Sequence, residues 1–257
     1  MSHPSLPPEF LDASIAHRAL HDVAQGRPEN APEAVEAACV AGYGIEIDLQ
    51  LSADGVAMVF HDYDLKRLTG QSGPIRQRSA AELAETPLIG GATGVPTLAQ
   101  VLDQVAGRVP LLIELKDQDG AMGPAIGPLE EATARALKGY AGPAAVMSFN
   151  PHSIARMATL APDLPRGLTT CAYRAVDWPL LPAAMRDRLA GIPDLDRVGA
   201  GFVSHDARDL DMPRIVALRD AGMPVLCWTI RSATAEAAAR RRADNVTFEG
   251  YPSVSHA

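Results

Sequence analysis

Short apolar runs alternate with polar, helix-forming segments along nearly the whole chain. The segments between the runs carry helix boundary signals, such as Pro32 ahead of Glu33–Val40 with Gly42 after it, and Thr97 as the N-cap of Leu98–Val105. Such an alternation of strands and helices is typical of a parallel sheet. The apolar runs predict strands over Ser14–His17, Gly44–Leu51, Val56–Phe60, Pro110–Leu115, Ala144–Ser148, Gly167–Thr170, Gly201–Ser204, Pro224–Ile230 and Asn245–Phe248.

The third of these strands, Val56–Phe60, does not fit the parallel pattern. Only Ser52–Gly55 separates it from the preceding strand, whereas a parallel crossover needs about a dozen residues or more. An Asp-Gly pair is typical of a turn between antiparallel strands, so we predict a hairpin here. The other eight strands predict a TIM (β/α)8 barrel, an α/β fold that uses about 250 residues as one unit.

The hairpin and the segment after it are expected to lie at the mouth of the barrel. If Leu51 faces Val56 across the turn, His61 falls opposite Glu46. The segment Leu65–Gly94 is rich in Gly, Pro and polar residues, which predicts a loop excursion over the mouth. The fold predicted is thus a barrel with a β-hairpin and loop excursion after strand 2.

The composition is that of one globular domain over residues 1–257. Hydrophobic residues make up 47% of the chain and charged residues 21%, without a disordered tract. A net charge of −8 argues against a nucleic-acid or anionic-membrane partner, because both need clustered Lys and Arg. Neither a signal peptide nor a membrane span is predicted. Cys39, Cys171 and Cys227 match neither a disulfide framework nor a zinc site, so we expect reduced thiols and a cytoplasmic location.

Three carboxylates are candidate metal ligands. Strand alternation sends Glu46 and Asp48 to one face of the second strand. Burying two like charges together is costly unless a cation compensates them, and a divalent ion with oxygen ligands does so. The alternative is that one carboxylate caps a helix or pairs with an arginine. Glu114 ends an apolar strand, and Lys116 lies on the same side of that strand. Because strand ends line the mouth of a barrel, Glu114 is a third candidate ligand and Lys116 is a candidate phosphate contact. The alternative is that Glu114 and Lys116 form an ordinary ion pair.

Two histidines also stand at predicted strand ends. His17-Arg18 follows the first strand and His61-Asp62 follows the hairpin. Imidazoles titrate near neutral pH, so a pair on opposite sides of a phosphorus can act as general base and general acid, and the Arg18 fork can hold phosphate oxygens. Either histidine alone would more often be structural. The other histidines are assigned to surfaces or loops: His3, His21, His152, His205 and His256.

Taken together, these motifs resemble the glycerophosphodiester phosphodiesterase family. The resemblance extends over nearly the whole chain and rests on motifs in a fixed order. They are His17-Arg18, Pro28-Glu29-Asn30, Ile45-Glu46-Ile47-Asp48, Ser52-Ala53-Asp54-Gly55, Val59-Phe60-His61-Asp62, Pro96-Thr97-Leu98, Ile113-Glu114-Leu115-Lys116, Ser148-Phe149, Trp228-Thr229-Ile230 and Glu249-Gly250-Tyr251-Pro252.

The resemblance implies a metal-dependent enzyme that hydrolyses glycerophosphodiesters to sn-glycerol 3-phosphate and an alcohol, with Mg²⁺ or Ca²⁺. It implies particular roles for matching positions in this sequence. The metal ligands would be Glu46, Asp48 and Glu114, and the acid/base pair would be His17 and His61. Arg18 and Lys116 would contact the phosphate. Trp228 or Phe149 would form an apolar wall near the glycerol. As a hypothesis, His17 removes a proton from the 2-hydroxyl of the substrate and His61 protonates the departing alcohol.

The chain departs from the family pattern at several positions. Ala19 stands where the family usually has Gly, and the segment from His17 to Glu29 is longer by Leu20-His21-Asp22-Val23. Arg231 replaces a frequent Asn, and Phe248-Glu249-Gly250 replaces a Thr-Asp pattern. Substrate preference is what these changes leave open.

Two rival functions are kept. The first is a lysophospholipase D or sphingomyelinase D activity, which would use a similar barrel. Aromatic residues make up only 5% of the chain, and no amphipathic membrane helix is evident in the sequence. These two observations favour a water-soluble diester as the substrate. A barrel that binds a phosphorylated ligand without turnover is the rival from another class. The expected partner is a small glycerophosphodiester substrate, and we expect no stable association of the protein with a membrane. The sequence leaves open the identity of the metal, the headgroup of the substrate and whether the protein forms a homo-oligomer.

Overall fold

The computed structural model describes residues 4–254, and within that range eight parallel strands close into a barrel. Closure is made by β1, which pairs with β2 on one side and with β9 on the other. The α/β barrel predicted from the apolar runs is confirmed. The strands are β1 Ile15–Ala16, β2 Gly44–Leu51, β3 Ala57–Val59, β4 Leu111–Leu115, β5 Ala144–Ser148, β6 Arg166–Thr170, β7 Phe202–Asp206, β8 Val225–Ile230 and β9 Asn245–Phe248.

Helices connect the parallel strands, and the predicted boundary signals act as expected. Thr97 and Gln100 form a reciprocal capping box at the start of the fifth helix, and Gly42 ends the second helix in the left-handed conformation at φ 74°. The helices are α1 Glu9–Asp12, α2 Pro32–Ala41, α3 Lys66–Thr69, α4 Ala80–Ala84, α5 Leu98–Val105, α6 Pro128–Leu137, α7 Pro151–Leu160, α8 Ala183–Ala190, α9 Leu195–Val198, α10 Pro213–Asp220 and α11 Ala233–Ala239.

The hairpin after β2 is confirmed, but its predicted register is wrong by one residue. Leu51 pairs with Ala57, not with Val56. The cause lies in the turn, where the Ser52 N–H donates to the Val56 carbonyl (3.0 Å) and the Ser52 hydroxyl accepts from the Val56 N–H (2.9 Å). The loop is therefore one residue shorter than predicted. His61 lies beyond the end of β3 and is not paired opposite Glu46.

The excursion after the hairpin has a small apolar core of its own. It contains α3, a 3₁₀ turn over Ile75–Gln77 and α4. Its buried side chains pack together and against the hairpin; they include Phe60, Leu65, Ile75, Leu83 and Val95. Arg67, at its edge, binds Glu29 and Asp62. The segment therefore contacts the rim of the mouth through Arg67, and none of its residues lines the cavity described below.

The lower half of the barrel interior is a packed apolar plug. Inward side chains from five strands meet there, and Phe10 of α1 packs against them from below. Gly167 provides the space for the Phe202 ring, since a Cβ at Gly167 would lie 2.5 Å from that ring. The carboxylates described below therefore lie above this apolar layer. The plug residues include Ile15, Leu112, Ala145, Phe202 and Leu226.

We expect the Phe202→Ala variant to lose about 3 to 5 kcal/mol of unfolding free energy, because it removes a fully buried ring from the plug. Urea unfolding followed by circular dichroism measures the loss. The matched control is Leu180→Ala, whose side chain is 93% exposed and whose removal should change stability by less than about 0.5 kcal/mol. Equal stability of the two variants would contradict the packing described here.

Candidate active site

Three buried carboxylates meet at the upper end of β2 and β4. Asp48 and Glu114 are direct neighbours in the parallel ladder, and Glu46 projects from the same face of β2 as Asp48. One oxygen from each carboxylate lies within 4.8 Å of the others, and each residue is at most 6% exposed. The sequence prediction that these three residues converge is therefore confirmed.

Hydrogen bonds and cations already surround this cluster. Lys116 Nζ lies 2.6 Å from Glu114 Oε1 and 2.7 Å from Asp48 Oδ1. Lys116 thus forms the ion pair that was one of its two alternatives, and it still lines the cavity above. Asn30 Nδ2 donates to Asp48 Oδ2 at 3.0 Å, and the Arg18 backbone N–H donates to Glu46 Oε2 at 2.9 Å.

The pKa values of the carboxylates are shifted by burial and by the charges around them. Burial, together with the nearby charges of Asp48 and Glu114, raises the pKa of Glu46 well above its ordinary value. Burial also opposes ionisation of Asp48, but the Lys116 ammonium outweighs it and holds the pKa of Asp48 well below its usual range. A proton on Glu46 thus relieves the repulsion. A hard divalent cation with oxygen ligands would relieve it equally, so the donor set fits such an ion.

His17 and His61 lie at the rim of the same cavity, and each ring contacts a carboxylate through Nδ1. His17 Nδ1 is 2.5 Å from Glu249 Oε2, and His61 Nδ1 is 2.7 Å from Asp62 Oδ1. Burial lowers the pKa of His17 below 6.5, although the hydrogen bond to Glu249 opposes this. His17 is therefore neutral at neutral pH, with Nε2 left to accept a proton.

The turn after β1 wraps around Glu46. Arg18 and Ala19 both have positive φ, at 52° and 63°, and the Ala19 N–H donates to the Glu46 carbonyl at 2.9 Å. This conformation is one that glycine adopts freely and alanine only at a cost. The turn also sets Arg18 Nε 3.5 Å from Asp48 Oδ2, while its Nη1 donates to Glu29.

Aromatic rings form the opposite wall. Phe149 and Trp228 meet edge to face at 5.5 Å, and Trp178 lies 5.1 Å from Phe149. The Trp228 indole N–H donates to the Ser204 carbonyl at 3.1 Å, which fixes the ring. The cavity between this wall and the carboxylates measures 180 Å³, and the predicted residues that line it are His17, Arg18, Glu46, His61, Glu114, Lys116, Phe149 and Trp228. Asp48, the remaining predicted residue, lies within the buried cluster of carboxylates.

Sequence reasoning missed several residues of the site. Asn30 and Glu249 belong to family motifs, but the sequence alone gives neither of them a role in the site. Asn30 contacts Asp48, and Glu249 contacts His17. His21 was assigned to the surface and lies 3.6 Å from Glu249. His205 was likewise misplaced: it is fully buried on β7, bonded to Thr170 Oγ1, and burial lowers its pKa to about 4. Of the other unassigned histidines, His3 and His256 lie outside the described residues.

Comparisons with known proteins bear on this site. Residues 17–248 match the model of the glycerophosphoryl diester phosphodiesterase family. The chain is 27% identical over 228 residues to a putative glycerophosphodiester phosphodiesterase of Bacillus subtilis, covering 85% of this chain and 86% of that one. It is also 27% identical over 234 residues to a second glycerophosphodiester phosphodiesterase of Bacillus subtilis, covering 82% and 75% of the two chains.

Solved structures show the same architecture. An Oleispira antarctica phosphodiesterase, determined in complex with its product sn-glycerol-3-phosphate, is similar with a TM-score of 0.76 and 25% identity, covering 95% of this chain and 94% of that one. A glycerophosphodiester phosphodiesterase from Parabacteroides distasonis has a TM-score of 0.70 at 24% identity, covering 92% of each chain, and supports the fold. No helix within residues 4–254 is long and apolar enough to cross a membrane. The match over residues 17–248 shows that this chain belongs to the glycerophosphoryl diester phosphodiesterase family, as its motifs predicted.

Proposed function

We propose that this chain hydrolyses small glycerophosphodiesters to sn-glycerol 3-phosphate and an alcohol. The observation that carries the proposal is the meeting of three buried carboxylates and two carboxylate-backed histidines around one cavity. Family membership and the product complex of the Oleispira antarctica relative support the same substrate class. A barrel that only binds a phosphorylated ligand would not need both histidines in this setting.

The metal site of this proposal is Glu46, Asp48 and Glu114. An Mg²⁺ or Ca²⁺ ion bound there would polarise the phosphate and offset its charge. Lys116 contributes a fixed positive charge between two of these carboxylates. Arg18, at the edge of the cavity, presents its guanidinium to the phosphate.

His17 is proposed as general base and His61 as general acid. The neutral His17 ring can accept the proton of the substrate's 2-hydroxyl at Nε2, because Glu249 occupies Nδ1. Attack of that hydroxyl on phosphorus gives a cyclic phosphate, which water then opens. His61, the more exposed of the two rings, protonates the departing alcohol oxygen. Phe149 and Trp228 give the glycerol an apolar wall that excludes water.

The size of the cavity favours a compact substrate. Its volume of 180 Å³ is small beside the roughly 300 to 1,000 Å³ of sites for drug-sized ligands. That favours a glycerophosphodiester with a small headgroup over a lysolipid or sphingolipid. A single domain, a cytoplasmic location and a role in lipid or glycerol metabolism belong to the same proposal.

We expect chelator treatment to abolish release of glycerol phosphate from glycerophosphocholine, and added Mg²⁺ or Ca²⁺ to restore it, since the proposed ion would polarise the phosphate and offset its charge. A panel of glycerophosphodiesters and one lysolipid, assayed with each ion, measures substrate and metal preference together. Faster turnover of the lysolipid would favour the lipid-cleaving alternative. Binding of glycerol phosphate without any turnover would favour the non-catalytic one.

We expect His17→Ala and His61→Ala each to lower kcat by about 10²- to 10⁴-fold, because each removes a proton-transfer group. Metal binding, measured by calorimetry, should persist, since neither ring belongs to the carboxylate cluster. His152→Ala is the matched control, because His152 lies on α7 away from the cavity lining. A histidine whose removal leaves kcat unchanged has no part in the mechanism.

The acidic limb of the kcat/KM pH profile is expected below pH 6.5 at saturating metal. The active form of His17 is neutral, and a lowered pKa keeps the ring neutral to lower pH than an ordinary histidine. Activity therefore falls only as the pH drops through this lowered value. An acidic limb above pH 6.5 would argue against His17 as the base.

A further inference from the structure

One carboxylate behind His17 is shared by three basic side chains. Glu249 Oε2 lies 2.5 Å from His17 Nδ1 and 3.6 Å from His21 Nε2. The other oxygen, Oε1, accepts a 2.8 Å hydrogen bond from Arg231 Nε. Both oxygens of Glu249 are thus engaged, and its side chain is 18% exposed. We call His21, Arg231 and Glu249 the Glu249 cluster.

The members of the Glu249 cluster come from three separate segments of the chain. His21 lies in the loop after β1, Arg231 follows β8, and Glu249 follows β9. The Glu249 N–H donates to the Ile230 carbonyl at 2.9 Å, which fixes the chain after β9 beside the chain after β8. Segments that are far apart along the chain therefore meet at one carboxylate.

Glu249 is ionised, so it can only accept hydrogen bonds. Burial would raise its pKa, but the hydrogen bond from His17 and the charge of Arg231 outweigh that effect and hold the pKa well below its usual range. An acceptor at this distance requires a proton on His17 Nδ1. The lone pair of the neutral ring is then on Nε2, the nitrogen assigned above to proton transfer.

The second histidine offers a comparison within the same site. His61 Nδ1 contacts Asp62, and Arg67 donates to both oxygens of Asp62 at 2.7 Å. His61 and its carboxylate are adjacent in sequence, whereas His17 and Glu249 are 232 positions apart. Both rings are nevertheless backed by a carboxylate that an arginine holds in place.

We propose that Glu249 is a positioning residue for His17: it fixes the tautomer with Nδ1 protonated and stabilises the ring once it is charged, while Arg231 holds Glu249. This inference rests on the function proposed above. A carboxylate behind a catalytic imidazole acts in this way in other enzymes, where the carboxylate itself is not protonated. The charged groups that act on the His17 ring are Arg18, Asp48 and Glu249, and His21 lies 3.6 Å from Glu249.

The decisive variants are Glu249→Gln and Glu249→Asp. We expect Glu249→Gln to lower kcat by about 10- to 100-fold, in the range seen when a group that orients a site ligand is removed. KM should change little, because Glu249 does not line the cavity. Since the carboxylate raises the pKa of His17, its loss should also move the acidic limb of the profile to lower pH. Glu249→Asp keeps the charge and should restore part of kcat and the position of the limb.

A measurement independent of turnover is the tautomer of His17, assigned by ¹H–¹⁵N NMR of the imidazole. We expect Nδ1–H in the wild-type protein and a mixture of tautomers in Glu249→Gln. Arg231→Gln should give smaller changes in the same direction and serves if Glu249→Gln does not fold. Glu131→Gln, an exposed partner of Arg156 far from the site, is the matched control and should match the wild type.

The possible results separate this inference from the proposed function. An Nδ1–H tautomer that depends on Glu249, in a protein without phosphodiesterase activity, would support the positioning and overturn the function. If the protein is active and Glu249→Gln leaves kcat, the acidic limb of the pH profile and the His17 tautomer unchanged, the positioning role of Glu249 is overturned and the proposed function stands. Equal losses in Glu249→Gln and Glu249→Asp, with the tautomer unchanged in both, would also overturn it, because the effect would then be structural.

Discussion

The repulsion among three carboxylates buried at the top of an apolar plug is the constraint on which the rest of this site depends. Glu46, Asp48 and Glu114 cannot move apart, because β2 and β4 hold them in adjacent ladder positions. Burying unpaired charges is costly, so the surrounding structure supplies compensation. Lys116 lies between two of them, Arg18 approaches from the rim, and a proton or a divalent cation must provide the rest.

The same need for compensation extends outward through the rim. Arg18 reaches Asp48 with Nε and Glu29 with Nη1, and Glu29 also binds Arg67. Arg67 in turn holds Asp62, the carboxylate behind His61. The excursion after the hairpin thus contributes to the site, because Arg67 on α3 binds the carboxylate behind His61. Alternating charges connect the buried cluster to the exposed edge.

The two histidines differ mainly in where along the chain their carboxylate partners come from. Asp62 follows His61 directly, so their contact joins neighbouring residues of one segment. Glu249 reaches His17 only because β1 pairs with β9 and closes the barrel. The longer loop that carries His21 and the arginine after β8 then approach the same carboxylate. Residues that are far apart in sequence therefore meet at one carboxylate of the site.

The sequence by itself determined the strands, the helix boundaries marked by capping residues, and the strand face that carries each of the three carboxylates. These features depend on local chemistry: apolar runs, capping residues and the two-residue period of a strand. The motifs of the family added the expected roles of His17, His61 and the aromatic wall. Such information is contained within a few neighbouring residues, or in their order, and needs no knowledge of distant contacts.

The tertiary structure decided what depends on contacts between distant segments. The hairpin register differed by one residue because Ser52 pairs with Val56, a choice that the Asp-Gly turn alone does not fix. The burial of His205 depends on the layer packed over β7, and the contact of Glu249 with His17 depends on closure of the barrel. Strand alternation gives the side of a residue but not its partner, because partners are set by which segments the fold brings together.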